Sequence, residues 1–205
     1  MSQNKIPENN PAIEHEIWQQ LLRASVDKHH EWRSPVLVTN GAADNKQTNW
    51  PEARTVILRA ADMHKKQLTF YTDSRSPKVT QLLARPKAVL VFWSKRLNWQ
   101  LRIKVIIDIK TEGELVQKTW AKLKQSPAAG DYLSAQAPGE ILVNLQDLSS
   151  QNLQNQNLHN LHNLQNHAYF AILVANVIDI DWLALGRNGH QRAKIDADGF
   201  HYLVP

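Results

Sequence analysis

The chain has no cysteine. That excludes a disulfide framework, cysteine-ligated zinc, an iron–sulfur cluster and a cysteine nucleophile. Long hydrophobic runs are also missing. The longest clean apolar stretch, Ala168 to Ala175, falls far short of the ~18 residues a membrane span needs. Met1 to Pro11 is polar and lacks the apolar region of a secretory signal, so the expectation is a soluble cytoplasmic protein. Acidic residues are scarce in one place above all. Between Arg54 and Lys104 twelve lysines and arginines face only Asp62 and Asp73, a net +10 in a chain whose total is +5. A field of one sign concentrated in a quarter of the chain favours an anion.

What is present fits one folded unit. At 205 residues, with 42% apolar and 21% charged side chains, residues 1–205 are expected to form a single domain with a sizeable core. Ile13, Ile17 and Leu21 recur in steps of four with Trp18 and Leu22 beside them, which predicts a helix over Ile13 to Trp32. A short apolar run, Val36 to Val38, precedes a polar loop from Asn40 to Asn49. Runs of β-branched and aromatic residues predict strands at Thr55–Leu58, Leu68–Thr72, Ala88–Trp93 and Trp99–Ile109. In the last, Leu101, Ile103 and Val105 alternate with Gln100, Arg102 and Lys104. Ser76 as N-cap, Pro77 at the first helical position and the stripe Val79, Leu82, Leu83 predict a helix closed near Pro86. A further helix is expected near Thr119–Gln125, and strands at Ile141–Leu145, Tyr169–Ile180 and Phe200–Val204. The fold class is therefore α+β, mainly β, with a closed or partly closed barrel and a few peripheral helices. Gln151 to His167 stands apart, with six Asn, four Gln, four Leu and three His in seventeen residues. Such a tract buries too little to offset its ordering entropy and reads as a low-complexity insertion at 151–167. His159 and His162 are one helical turn apart, but no carboxylate accompanies them, so no metal site is expected.

The chemistry concentrates in the basic segment. Arg75, Ser76 and Lys78 surround a predicted helix start, where unpaired N–H groups and the helix dipole attract anions. Arg54 and Arg59 flank a strand centre, and five residues apart on one strand they would face opposite ways. Tyr71 and Thr72 end the next strand, and Gln100 adds an amide that both donates and accepts. Cations, hydroxyls and one amide suit a phosphorylated, flat, hydrogen-bonding heterocycle. Each residue also has a plainer reading: strand-end charge for the arginines, a ligand-free helix cap for Ser76, core packing for Phe92 and Trp93. A basic barrel with Tyr71, Trp93 and Trp99 interleaved could instead track single-stranded nucleic acid, but twelve bases split between strand ends and a helix start do not make one groove.

Three ordered blocks, PEARTVILR at Pro51–Arg59, FYTDSRSPK at Phe70–Lys78 and QLRI at Gln100–Ile103, resemble the FMN-binding core of the pyridoxamine 5′-phosphate oxidase-like family. The resemblance implies a split β-barrel homodimer with FMN in each of two interface clefts. It also implies an oxidoreductase passing hydride to flavin N5 from a small substrate, or a relative that binds flavin without turnover. Carried over, the strand Arg54, Thr55, Val56, Leu58 and Arg59 would run along the flavin. Arg59 stands where family oxidases usually have lysine. Tyr71, Thr72, Arg75, Ser76 and Lys78 would surround the phosphate, and Gln100 would bond the ring. SAQAPG at Ser134–Gly139 makes Gln136 a further contact from the partner subunit. HQR at His190–Arg192 makes Arg192 a flavin contact that could steer an anionic substrate. Departures accompany these matches. Pro77 replaces a second phosphate-binding arginine, and Ala137 a serine. Leu183 stands where the oxidases have a flavin-facing tryptophan, with Trp182 adjacent. Trp120 to Tyr132 lacks the Tyr, Arg and Ser set that grips the substrate phosphate in the oxidases.

Overall fold

The computed structural model describes residues 10–41, 50–134, 136–141 and 169–205. The tract at 151–167, most of the loop at 40–49 and all but Ile141 of the strand expected at 141–145 lie outside them. Within the described residues nine strands form one antiparallel sheet: β1 Val36–Asn40, β2 Pro51–Thr55, β3 Leu58–Asp62, β4 Gln67–Asp73, β5 Lys87–Ser94, β6 Trp99–Lys110, β7 Phe170–Ala184, β8 Gln191–Asp196 and β9 Gly199–Leu203. Three helices accompany them: α1 Asn10–Val26, α2 Pro77–Ala84 and α3 Glu114–Leu123. The mainly-β α+β class expected from the sequence is what forms.

The sheet runs β2-β1-β5-β6-β7-β4-β3, with β8 and β9 branching from β7. One edge of β7 pairs with β6 from Lys110↔Ile172 to Trp99↔Ala184. The other edge is divided, residues 170–176 pairing with β4 and residues 180–184 with β8. A register shift on the β6 side falls between Lys104 and Val105, opposite the Val177–Asp179 stretch, and leaves Ile178 exposed. The fifteen-residue β7 thus serves two partners in succession along that edge.

Period-2 patterning fills the interior. On β6, Trp99, Leu101, Ile103, Val105 and Ile107 are buried while Arg102, Lys104, Ile106 and Asp108 are exposed. The stripe Ile13, Ile17, Trp18 and Leu21 of α1 is wholly buried against the same core. Trp32, Trp99 and Trp182 form its aromatic centre, with Trp99 and Trp182 edge-to-face at 5.3 Å. A second, smaller core lies under α3, where Val116 and Trp120 meet Tyr132, Phe170 and Ile172.

Several expectations are corrected. The strand expected at Thr55–Leu58 is instead a break: β2 ends at Thr55 and β3 begins at Leu58. Val56 donates its N–H to the Pro35 carbonyl at 3.0 Å, one step beyond the Val36↔Thr55 pair, and the β1–β2 ladder ends there. The helix expected to reach Trp32 stops at Val26, and Glu31–Arg33 form a separate 3₁₀ turn capped by His30. The helix near 119–125 starts earlier, at Glu114, because Gly113 at φ +95° supplies the turn into it. Strand β8 was not foreseen, since its apolar positions are only Ala193 and Ile195. Trp93, expected in the core with Phe92, points outward and is 46% exposed, whereas Phe92 is buried.

Candidate functional site

The start of α2 gathers the sequence's phosphate-type residues. Pro77 occupies the first turn, and Ser76 has the extended backbone of an N-cap, yet its hydroxyl makes no capping bond. It accepts instead from Lys78 Nζ at 2.6 Å. Lys78 also donates to Thr72 Oγ1 at 3.0 Å, so one ammonium joins the end of β4 to the first turn of α2. Among the described residues it meets no carboxylate. Burial, and then the neighbouring Arg54 guanidinium, push its ammonium below the usual lysine range, with Asp73 acting the other way.

Arg54, on β2, is the second cation here. Its Nη2 donates to Gln81 Oε1 at 3.1 Å and to Glu52 Oε2 at 3.0 Å, and its Nη1 reaches the Thr39 hydroxyl. Thr39 in turn donates to Gln81 Oε1 at 2.6 Å. Neither Thr39 nor Gln81 was singled out from the sequence, although both left a trace. Thr39 is polar at the buried parity of β1, two residues after Leu37, and Gln81 lies one helical turn beyond Lys78.

Arg75 is engaged differently. Its Nε and Nη2 bond the Asp73 carboxylate at 3.0 and 2.6 Å, Nη2 reaches the Ser134 carbonyl at 2.8 Å, and the guanidinium lies 3.4 Å over the Tyr169 ring. Arg75 thus ties the loop before α2 to the segment leading to Gln136, with Asp73 holding its guanidinium in place. That segment returns to α2: Gly139 has φ +91°, and a Cβ there would stand 3.5 Å from the Pro77 ring. Thr55 is exposed, while Val56 and Leu58 turn their side chains into the core, leaving only backbone at those positions for a ligand.

Arg59 and Tyr71 are on the other side of β4. Thr72 faces Lys78, so its neighbour Tyr71 faces away, and the Arg59 guanidinium lies 5.5 Å over the Tyr71 ring. The two arginines of the 54–59 segment therefore serve different places.

A third group forms on the outer face of the sheet. Direct cross-strand pairing places Trp93, Gln100, Leu183, Arg192 and Leu203 in one row across β5, β6, β7, β8 and β9. Leu183 stands in this row, and Trp182 is wholly buried behind it. Arg192 is clamped by Asp181, Nε to Oδ1 at 3.0 Å and Nη2 to Oδ2 at 2.7 Å. Arg102 bonds the same carboxylate. Partial burial pushes the Asp181 carboxyl up, but the bonds from Arg192 and Arg102 outweigh it and hold the group below its ordinary range.

Residues 15–110 match the family model described as pyridoxamine 5′-phosphate oxidase, FMN-binding domain. Those residues, just under half of the chain, are similar to the FMN-binding domain of that family. Among curated relatives, a pyridoxine/pyridoxamine 5′-phosphate oxidase of Chromohalobacter salexigens is 29% identical over 130 residues, 63% of this chain and 57% of the relative. The enzyme of the same name from Polynucleobacter asymbioticus is 32% identical over 109 residues, 53% of this chain and 46% of the relative. The match thus spans about half the length of these relatives. Among solved structures, a pyridoxamine 5′-phosphate oxidase-related FMN-binding protein of Nostoc punctiforme superposes with a TM-score of 0.66 at 17% identity, covering 98% of this chain and 100% of that one. PhzG of Burkholderia lata, solved with tetrahydrophenazine-1-carboxylic acid, gives 0.67 at 17% identity, covering 97% and 94%. The fold is the split barrel of pyridoxamine 5′-phosphate oxidase-like proteins.

Proposed function

We propose that the protein binds FMN and is an oxidoreductase acting on a small molecule. The observation that carries this reading is Lys78: a half-buried ammonium on two hydroxyls, pressed by a second cation and, among the described residues, paired with no carboxylate. Such a group lacks an anion, and a phosphate monoester supplies one. Lys78, Arg54, Ser76 and Thr72 would hold the phosphate, while the Gln100 amide and Arg192 would meet the ring. When bound, FMN supplies a two-electron acceptor; the protein contributes orientation and hydrogen bonding. Arg192 enters as an oriented donor, since Asp181 already balances its charge.

A homodimer accompanies this reading. The outer face carries Val36, Trp93, Ile106 and Ile178 exposed. A groove of about 540 Å³ runs along it, bounded by Val38, Val89, Ile106 and Ile178 and reaching Thr39, the acceptor of Arg54. Exposed apolar surface of this kind is characteristic of an interface, and the Gln100–Arg192 row lies on the same face. Nucleic acid fits less well, because Trp99 is buried in the core and Tyr71 packs against the second core, leaving only Trp93 of the three as a stacking platform.

The test is a titration of the purified full chain with FMN, followed by flavin fluorescence and the visible spectrum. Saturable quenching at one FMN per chain is the expected result. Absence of quenching would remove the reading, and activity screens with phosphate esters and pyridoxal compounds then bear on the substrate.

A further inference from the structure

A polar chain links α1 to the β5–β6 turn through His30, and the phosphate site uses none of it. Gln20, 2% exposed, donates its Nε2 to Glu16 Oε1 at 2.6 Å. A carboxylate only accepts, so this bond fixes which way the amide lies and turns Oε1 toward His30. There Oε1 meets His30 Nε2 at 2.9 Å and accepts from Arg96 Nη2 at 3.2 Å. A carbonyl oxygen cannot donate, so Nε2 carries the imidazole proton. Nδ1 is left bare, and it accepts the Trp32 N–H at 3.1 Å as the cap of the Glu31–Arg33 turn. The contacts thus allow one neutral tautomer, and both ring nitrogens are used in it.

That turn is held from two sides. Glu31 accepts from the Ser94 hydroxyl and from the Lys95 and Arg96 amides of the β5–β6 turn. Arg33 reaches back to the Ala24 and Ser25 carbonyls at the end of α1. Between them Trp32 is wholly buried and meets Phe92 and Trp99 at 6.0 and 6.4 Å. A second proton on His30 has one place to go, Nδ1. It would set an N–H against the Trp32 N–H and remove the cap. The charge around the ring is mixed: Arg96 and Arg23 oppose the proton, while Asp27 and Glu31 favour it. Glu16 acts on the ring through the Gln20 amide.

We propose that His30 is the pin of an acid-released clasp: neutral, it holds the Glu31–Arg33 turn and the end of α1 to the β5–β6 turn, and protonated at Nδ1 it lets the turn open while the sheet stays folded. The clasp does not depend on FMN binding. Burial, and then Arg96, hold the imidazole below the ordinary histidine pKa of 6.5. The clasp is therefore fully closed above that value and weakens as pH falls below it, because the opened turn takes the proton more readily than the closed one.

The experiment follows amide hydrogen exchange and nitrogen NMR spectra of the full chain from neutrality down to about pH 5. At neutrality the His30 nitrogens should show the proton on Nε2. As pH falls, protection at the Trp32 amide, corrected for its intrinsic exchange rate, should drop ~fivefold or more while β6 and β7 keep theirs. His30→Asn supplies a cap that does not titrate and should abolish the pH dependence. Arg96→Gln removes the main opposing cation and should move the release to higher pH. A proton found on Nδ1 at neutrality overturns the proposal, as does Trp32 protection that is unchanged in acid or falls equally in His30→Asn. Equal loss across β6 and β7 would mean global unfolding and overturns it too. Should His30→Asn not fold, Arg96→Gln carries the test, since that side chain is exposed; a release point that stays put or moves down refutes the clasp.

Discussion

Lys78 Nζ donates to Thr72 Oγ1 at 3.0 Å, and this contact joins the last turn of strand β4 to the first turn of helix α2. The ammonium lies beside the first turn of the helix, and among the described residues two hydroxyls rather than carboxylates accept its hydrogen bonds. Replacing it removes a charge-assisted donor to the phosphate, so Lys78→Ala should weaken FMN binding by about 1–3 kcal/mol. Arg54→Ala should act in the same direction. Flavin fluorescence titration measures both, and unchanged affinity in the two variants would refute the phosphate assignment.

The same lysine sets a pH dependence. A bound phosphate favours the charged ammonium, so binding raises the Lys78 pKa. Affinity is therefore full below the pKa of the free site and declines as pH rises through it. Burial and Arg54 already hold that pKa below the usual lysine range, so the decline should begin earlier than for an exposed lysine. Lys78→Arg keeps its charge across the window. Titrations from neutrality upward toward the ordinary lysine pKa of about 10.4 should show a falling wild-type affinity and a flatter curve for the variant.

How far the site was legible follows from where each signal lies in the chain. Ser76, Pro77 and Lys78 sit within three residues, and a helix start that local is visible in the sequence. The alternation of β6 was equally plain, because one face is core and the other is not. Thr39, Gln81 and Asp181 were not seen, since each acts through partners in other elements; Thr39 and Gln81 are 42 positions apart. The break at Val56–Ile57 escaped because β-branched residues look like strand whether or not they pair. For the same reason Arg54 and Arg59, read as the ends of one strand, turn out to serve opposite sides of β4. Trp93 was misplaced because an apolar run does not say which parity is inside.

Asp181 accepts from Arg192 and Arg102 together, and this has an acid signature. The folded-state pKa is held below the ordinary carboxylate value, so the contribution to stability is present above that value and lost as pH falls through the folded pKa. Asp181→Asn should lower stability by about 1 kcal/mol near neutrality, a modest figure because the cluster is partly exposed. The gap between the two proteins in thermal melts should close toward about pH 3. A gap that persists in acid would mean that the loss is steric rather than electrostatic.

The exposed outer face yields a prediction about assembly. Ile178 occupies the bulge of β7 and is 50% exposed, beside Asp179, which already pairs with Lys104 at 2.9 Å. An added carboxylate there would place like charges together and, in a homodimer closed through this face, would bury one of them at an apolar contact. Ile178→Asp should therefore shift the protein toward monomer in size-exclusion chromatography with light scattering, while its thermal stability as a monomer changes by less than about 1 kcal/mol because the position is not in the core. If Gln100 and Arg192 reach a flavin held by the partner's Lys78 cluster, FMN affinity should fall along with dimerisation and become dependent on protein concentration. A dimer that survives the substitution unchanged would place the interface on another surface.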